Sequence, residues 1–138
     1  MELSWLDAER LVELVGRAFA ARLIGDVEAF LLAFDQDADY DSPNFLWFRS
    51  RYRRFVYIDR VVVARSARGQ GHARRLYDNL FAEARRAGHE RIVCEVNRRP
   101  PNPASDAFHQ ALGFDEVGGA EIGDGSKAVR YLARTLSD

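Results

Sequence analysis

Lysine is almost missing from this chain. Of its 20 basic residues only Lys127 is a lysine, which reads as a bias of composition without functional content. Cysteine is nearly absent too: the single Cys94 excludes an internal disulfide and fits a reducing compartment. No apolar run approaches the roughly 18 residues that a spanning helix needs, so no membrane segment is expected. The N-terminus has no charged stretch followed by an apolar core, so no signal peptide is expected and cytoplasmic is the default location. An excess of one charge is lacking as well. The net charge of −1 gives no bulk attraction to nucleic acid or an anionic membrane.

Several binding signatures are also incomplete. Asp35, Asp37, Asp39 and Asp41 alternate as at the start of a calcium loop. That loop would need glycine at Tyr40 and glutamate at Leu46, so calcium is rejected and no metal is expected. A solvated loop is the plain reading of this stretch; the functional one is an acidic rim that attracts a cationic amine. Arginines and aromatics interleave from Pro43 to Arg54, but Phe45, Phe48 and Tyr52 have the spacing of an amphipathic helix docked on a sheet. Ser42 is its expected cap and Pro43 its first residue. Nucleic-acid binding is therefore set aside.

What is present centres on Tyr57 to Ala87. With 138 residues and 47% apolar content, one domain with a real core is expected. Val56 to Val63 is rich in β-branched residues and predicts a buried strand. A polar turn follows from Ala64 to Gln70. From His72, the residues Ala73, Leu76, Tyr77, Leu80, Phe81 and Ala84 recur at helical spacing, and Gly88 closes the helix. A glycine-bearing turn thus lies between a strand and a helix start. First-turn amides have no partners within the helix, and the local dipole is positive there. Gly69 and Gly71 allow an anion close to those amides, and Arg68 and Arg74 add charge: a phosphate cradle. It is neither a P-loop, which needs a lysine, nor a dinucleotide fingerprint, which needs three glycines.

Around this centre the chain reads as follows. Ser4 with Asp7 suggests a capping box for a first helix whose stripe is Leu11, Leu14, Val15, Ala18 and Phe19, ending near Ala20. Arg22–Ile24 and Glu28–Phe34 predict a hairpin around Gly25 and Asp26. Arg91–Val96 predicts the next strand, parallel to the central one through a right-handed crossover. Asn97 to Pro103 predicts an irregular proline-rich loop. Ser105 is the expected cap of a short helix, Asp106 to Leu112, closed by Gly113. Phe114 begins a strand, Gly118–Ser126 is turn-rich, and Val129–Leu136 alternates as a last strand.

Two stretches carry a family resemblance. Arg68-Gly69-Gln70-Gly71-His72-Ala73, behind Val61 and Val63, resembles the Arg/Gln-x-x-Gly-x-Gly/Ala loop of the GCN5-related N-acetyltransferase (GNAT) superfamily, which binds the pyrophosphate of acetyl-CoA. Asn102 to Phe114, with Phe108, His109 and Gly113, is similar to that superfamily's Asn-x-x-Ala-x-x-x-Tyr-x-x-x-Gly-Phe segment. With Glu95-Val96, the chain looks most like the bacterial-type branch that acetylates protein N-terminal amines, ribosomal proteins included. The resemblance implies an α/β fold of the GNAT acyl-CoA N-acyltransferase type, a mixed sheet whose parallel strand pair splays apart. Residues 1–138 would form one domain: an acceptor-side region 1–55, an acetyl-CoA core 56–114 and C-terminal strands 115–138. The family's opening strand would be reduced to Met1-Glu2-Leu3.

Acetyl-CoA would be the co-substrate, held by Val61, Val62, Val63, Arg68, Gly69, Gln70, Gly71, His72, Ala73, Arg74, Asn102 and His109. A small-molecule or peptide amine would be the acceptor, with no nucleic acid, membrane or metal involved; a homodimer is compatible with this reading. Glu95 falls on the family's general base and His109 stands where the family has its acidic Tyr. Asp59, taken to share a face with Tyr57, Val61 and Val63, is the reserve base, its plain reading being an ion pair with a neighbouring arginine. An amine must lose a proton before it attacks a thioester, since its ammonium pKa lies near ~10; a strand-end carboxylate can take that proton. Cys94, on the other face from Glu95, is expected in the core. His72 and His89 read as surface residues apart from the loop contact. The alternative is an acyl-CoA-binding module without catalysis.

Overall fold

The computed structural model describes residues 5–25 and 28–136, with the backbone alone for residues 5–9 and 11. The expected capping box at Ser4, the Met1–Leu3 strand, Leu11 of the stripe and Asp26 of the hairpin turn lie outside the described residues. In chain order the elements are α1 (Trp5–Arg17), β1 (Ala20–Ile24), β2 (Ala29–Asp35), α2 (Pro43–Arg49), β3 (Val56–Val63), α3 (His72–Arg86), β4 (Arg91–Arg99), α4 (Pro103–Ala111), β5 (Asp115–Ile122) and β6 (Lys127–Thr135). The strands form one six-stranded sheet in the order β1-β2-β3-β4-β6-β5. It is a mixed α/β architecture, antiparallel except for β3 beside β4.

Alternation along the strands sends side chains to two cores. One core lies under α3. Leu31 and Ala33 of β2, Val56 and Ile58 of β3, and Ile92, Cys94 and Val96 of β4 meet Leu76, Tyr77, Leu80, Phe81 and Ala84. The apolar stripe expected of α3 is therefore its buried face. The other core is aromatic. Leu32 and Phe34 of β2, Tyr57 of β3, Val93 of β4 and Tyr131 of β6 meet Phe45 and Phe48 of α2. The first helix stops at Arg17, so Ala18 and Phe19 follow it rather than extend its stripe. Leu14 is buried, but Val15 is exposed.

Two features of the central strands decide the rest. β3 and β4 make bridges only at Val56–Ile92 and Tyr57–Val93, and from Cys94 onward β4 pairs with β6 alone. The two parallel strands therefore diverge, as expected. In addition, the β2–β3 register jumps from Leu32–Arg60 to Ala33–Ile58, which leaves Asp59 as an extra residue in β3. Such a bulge flips the side-chain alternation beyond it. Val61 and Val63 thus pack on the α3 side with Ile58, opposite Tyr57. This corrects the expectation that Tyr57, Asp59, Val61 and Val63 share one face.

Other boundaries move for identifiable reasons. β4 continues through Asn97 to Arg99 because its backbone pairs with Val129 and Ala128 of β6, so the irregular loop is shorter than expected. The α4 cap is Asn102, whose Oδ1 accepts from the Ser105 amide at 3.2 Å, with Pro103 in the first turn; Ser105 lies inside the helix. Ser42 precedes α2 without a side-chain cap bond. Gly118 and Gly119 lie within β5 instead of a turn. A Cβ at Gly118 would clash with Cζ2 of Trp47, and one at Gly119 would meet the Val129 carbonyl at 2.9 Å. Glycine in a strand here marks close approach.

The contacts around Gly118 generate a stability test. Trp47 cannot swing away cheaply, because its ring stacks on Tyr131 with centroids 4.3 Å apart. Gly118→Ala should therefore lower unfolding stability by about 1–3 kcal/mol in urea titration, as overpacking does. Gly16→Ala, where a Cβ meets open space in α1, should raise it by roughly 0.5–1 kcal/mol. Equal stabilities for Gly118→Ala and the parent would show that the indole is not seated there.

Candidate active site

The divergence of β3 and β4 opens a cleft of about 400 Å³ whose walls include Ile58, Asp59, Arg60, Val61, Val63, Tyr77, Glu95, Asn102 and His109. A second cavity of about 320 Å³ follows the β3–α3 turn, past Arg68, Gly69, Gly71, His72, Ala73 and Arg74. Val63, Ala73 and Phe108 line both, so the two are continuous. Together they run from the sheet opening to the start of α3.

The turn is built as the sequence suggested. A single turn of 3₁₀ helix, Arg65–Ala67, leads to Gly69 and Gly71 at φ of 80° and 76°. Both conformations favour glycine, and a Cβ at either would meet nothing within 4 Å. The glycines thus face open space. Gly71 caps α3 without a side-chain bond to the first-turn amides. Among the described residues no carboxylate pairs with Arg68, whereas Arg74 Nε lies 3.4 Å from Asp78. These features fit the diphosphate of a CoA thioester. Val61 and Val63 reach the cleft, but the Val62 side chain is exposed and Gln70 lines neither cavity. His72 is buried, with Nε2 3.4 Å from Glu28 and Nδ1 against Arg75, so it is not the surface residue expected. His89 is likewise buried, edge-on to Phe19 and 3.9 Å from Asp35; burial lowers its pKa.

At the other end of the cleft, Glu95 accepts a hydrogen bond from the Tyr57 hydroxyl at 2.7 Å. Burial pushes its carboxyl up to about 7, reinforced by the charge of Asp59 and opposed by hydrogen bonds from Tyr57 and Asn44. Asp59 itself is occupied: Arg60 Nε lies 2.7 Å from it, and the Tyr40 hydroxyl donates to it. That is the ion pair given as its plain reading. Tyr40 comes from the acidic loop, where the Asp37 amide donates to the Asp35 carboxylate and the Gln36 side-chain Oε1 accepts from the Phe55 amide. Among the described residues no His, Cys, Asp and Glu cluster is arranged to hold a metal.

His109 differs most from expectation. Its Nδ1 is 2.8 Å from the Ser105 carbonyl, which only accepts, so that nitrogen carries the proton. Nε2 then accepts from the Tyr77 hydroxyl at 2.8 Å. Burial lowers the imidazole pKa. A buried neutral ring with both nitrogens engaged is poorly suited to act as an imidazolium acid. Asn102 lines the cleft while its Oδ1 caps α4. Cys94 is buried and its thiol pKa is pushed up, as a core cysteine should be.

Four hydroxyl or amide groups at this site were not singled out from sequence: Tyr40, Asn44, Tyr77 and Tyr131. Tyr77 was read only as part of an apolar stripe, and nothing in a sequence pairs it with His109.

Known proteins can now be set beside this geometry. A profile of the acetyltransferase (GNAT) family matches residues 5–114. No curated protein matches the sequence. Among solved structures, the ribosomal-protein-S18-alanine N-acetyltransferase from Escherichia coli superposes with a TM-score of 0.62 at 18% identity, covering 100% of this chain and 93% of that one. Chaetomium thermophilum Naa20, in complex with a bisubstrate analogue, gives 0.69 at 18% identity over 98% and 75% of the two chains. The NatC complex bound to Gag peptide and CoA gives 0.69 at 12% identity over 99% and 84%. The diverging parallel strands, the glycine turn at the start of α3 and the match over most of the chain place this protein in the acetyltransferase (GNAT) family.

Proposed function

We propose that this protein is an acetyl-CoA-dependent N-acetyltransferase acting on a primary amine, with Glu95 as the general base. The observation that carries the reading is the placement of Glu95: a carboxyl held near neutrality at the wall of a cleft continuous with an anion cradle. Acetyl-CoA would supply the thioester acyl group. Its diphosphate would rest on the amides of Gly69 to Arg74 beside Arg68, and its pantetheine along Val61 to Val63, where β3 has no β4 partner. Gln70 and Val62 would contribute backbone only.

Glu95 accepts one proton from the acceptor ammonium, directly or through a water. The amine nitrogen then bonds the acyl carbon, the carbon–sulfur bond breaks, the sulfur leaves with the bonding pair, and the nitrogen's second proton passes to that sulfur through water. A thiolate of pKa near ~8.5 is a fair leaving group and needs one proton at most. That proton is the one the nitrogen sheds; the Tyr77 hydroxyl is not its donor, because its one hydrogen goes to His109 Nε2 and burial raises its pKa well above the ordinary phenol value. The acceptor side holds Asp59, Tyr40 and the Asp35–Asp41 loop, a setting suited to a cationic amine, either small or at a peptide N-terminus. The engaged, neutral His109 is the one observation that favours the second reading, a CoA-binding module without turnover.

Four outcomes test this. Glu95→Gln should bind acetyl-CoA as the parent does in calorimetry, yet lose roughly 10²-fold or more in kcat, measured by release of CoA thiol from an amine and peptide panel. Parent-like turnover would falsify the base assignment, and a parent inactive on the whole panel would favour the binding module. The base must be ionised to work, so kcat/KM should rise with pH through about 7. Stability should run the other way, because a carboxyl raised on folding resists ionisation. The contribution of Glu95 to it should be greatest below the ordinary carboxylate range, fall as pH rises to about 7, and be absent in Glu95→Gln. Finally, Gly71→Ala forces a Cβ into a left-handed conformation at about 1–2 kcal/mol. It should weaken acetyl-CoA binding several-fold while leaving the Glu95 titration in place.

A further inference from the structure

Arg60 follows the extra residue of the β3 bulge, and the reaction as described gives it no task. In register it lies opposite Leu32 of β2, a member of the aromatic core, so its side chain leaves the sheet on that side. Glu95 lies opposite Tyr131, a member of the same core, and so shares that side. Val61 turns the other way, toward α3. Arg60 therefore lines the cleft on the side of Glu95, away from the valine wall and from the diphosphate cradle beyond Val63.

The contacts of this arginine hold it in place without using it up. The Asp59 side chain is only 6% exposed, and both its oxygens are engaged. Oδ2 accepts from Arg60 Nε at 2.7 Å, and Oδ1 accepts from the Tyr40 hydroxyl. A buried carboxylate needs such partners, and here its charge is already met by the guanidinium. Asp59 thus grips Arg60 at Nε. Nη1 and Nη2 have no hydrogen bond or ion pair with any described residue, and the arginine side chain is 38% exposed. A guanidinium fixed at Nε presents those two nitrogens as a planar fork that matches a carboxylate. Among the described residues lining the cleft, Arg60 is the one arginine or lysine, and no carboxylate of the Asp35–Asp41 loop is among them.

We propose that the acceptor carries a carboxylate close to its amine and that Arg60 binds it, with the ammonium at Glu95 and the carboxylate on the Nη fork. This rests on the acetyltransferase reading with Glu95 as base. An α-amino acid carries both groups on one carbon. A peptide that begins with aspartate carries them on one residue. Both offer the same pair of charges, whereas a plain alkylamine leaves the fork to water.

The test compares matched acceptors by release of CoA thiol: alanine and glutamate against their α-amides, and peptide amides beginning with Asp against those beginning with Asn. In at least one of these comparisons the parent should favour the carboxylate by roughly 10- to 100-fold in kcat/KM, as a charge-assisted hydrogen bond allows. A preference confined to the amino acids identifies a small acceptor, and one confined to the peptides a peptide acceptor; either upholds the proposal. Arg60→Gln should bring the ratio close to one. Because that change leaves Asp59 buried without its cation, the double variant Asp59→Asn with Arg60→Gln is measured beside it, and its ratio should fall equally. Comparing ratios between proteins cancels the differing basicity of acid and amide. No preference in the parent, or a ratio unmoved in both variants, would overturn the proposal. Nitrogen-15 NMR of the Arg60 Nε–H, with glutamate added in the presence of CoA, reads the subsite without turnover. A saturable shift there in a protein inactive on every amine would uphold the subsite and reject the acetyltransferase reading. Turnover without discrimination would do the reverse.

Discussion

The parting of two parallel strands is the constraint on which this molecule depends. β3 and β4 hold together over two bridges and then separate, each keeping its antiparallel partner on the outer side. A backbone that stops pairing inside a sheet leaves polar groups that must be met by water or by a ligand. Here the gap opens beside the amides of a helix start, so an extended polar molecule with an anionic end fits both. The α3 crossover makes this a consequence of topology. It starts where β3 ends, which puts its N-terminus at the mouth of the gap.

The bulge at Asp59 gives the two faces different work. Before it, β3 presents Tyr57 to the aromatic core and to Glu95; beyond it, Val61 and Val63 turn toward α3 and line the cofactor side. One extra residue thus lets a single strand face Glu95 at one end and supply an apolar wall at the other. Around Glu95 the terms oppose each other. Burial disfavours the charged carboxylate, and Asp59 adds to that, while the hydroxyl of Tyr57 and the amide of Asn44 favour it. That balance suits the base proposed for Glu95, whose task is to take a proton near physiological pH.

Much of this was legible from sequence. The strand–turn–helix from Val56 to Arg86 announced itself by β-branched residues, two glycines and helical periodicity, because each of those signals is local. The parallel pair followed from two strands joined by a helix, and its divergence from the family resemblance. The bulge was not legible: Tyr57, Asp59, Val61 and Val63 alternate without a break, and only the pairing with β2 shows where the count slips. The extension of β4 into Asn97–Arg99 was hidden for a similar reason, since polar residues read as loop until β6 supplies their partners. The pairing of Tyr77 with His109 joins residues 32 positions apart, brought close by helix packing that no short window contains. His72 and His89 misled in the other direction, because their burial is decided by neighbours from other elements.

The central claim is that a CoA thioester lies in the gap between β3 and β4 with its diphosphate at the start of α3. Backbone amide NMR during addition of CoA tests it most directly. The account predicts the largest shifts at Gly69 to Arg74 and Val61 to Val63, with β1 and the β5–β6 hairpin little changed. Saturable shifts confined to those other strands, or no shifts at millimolar CoA, would contradict it.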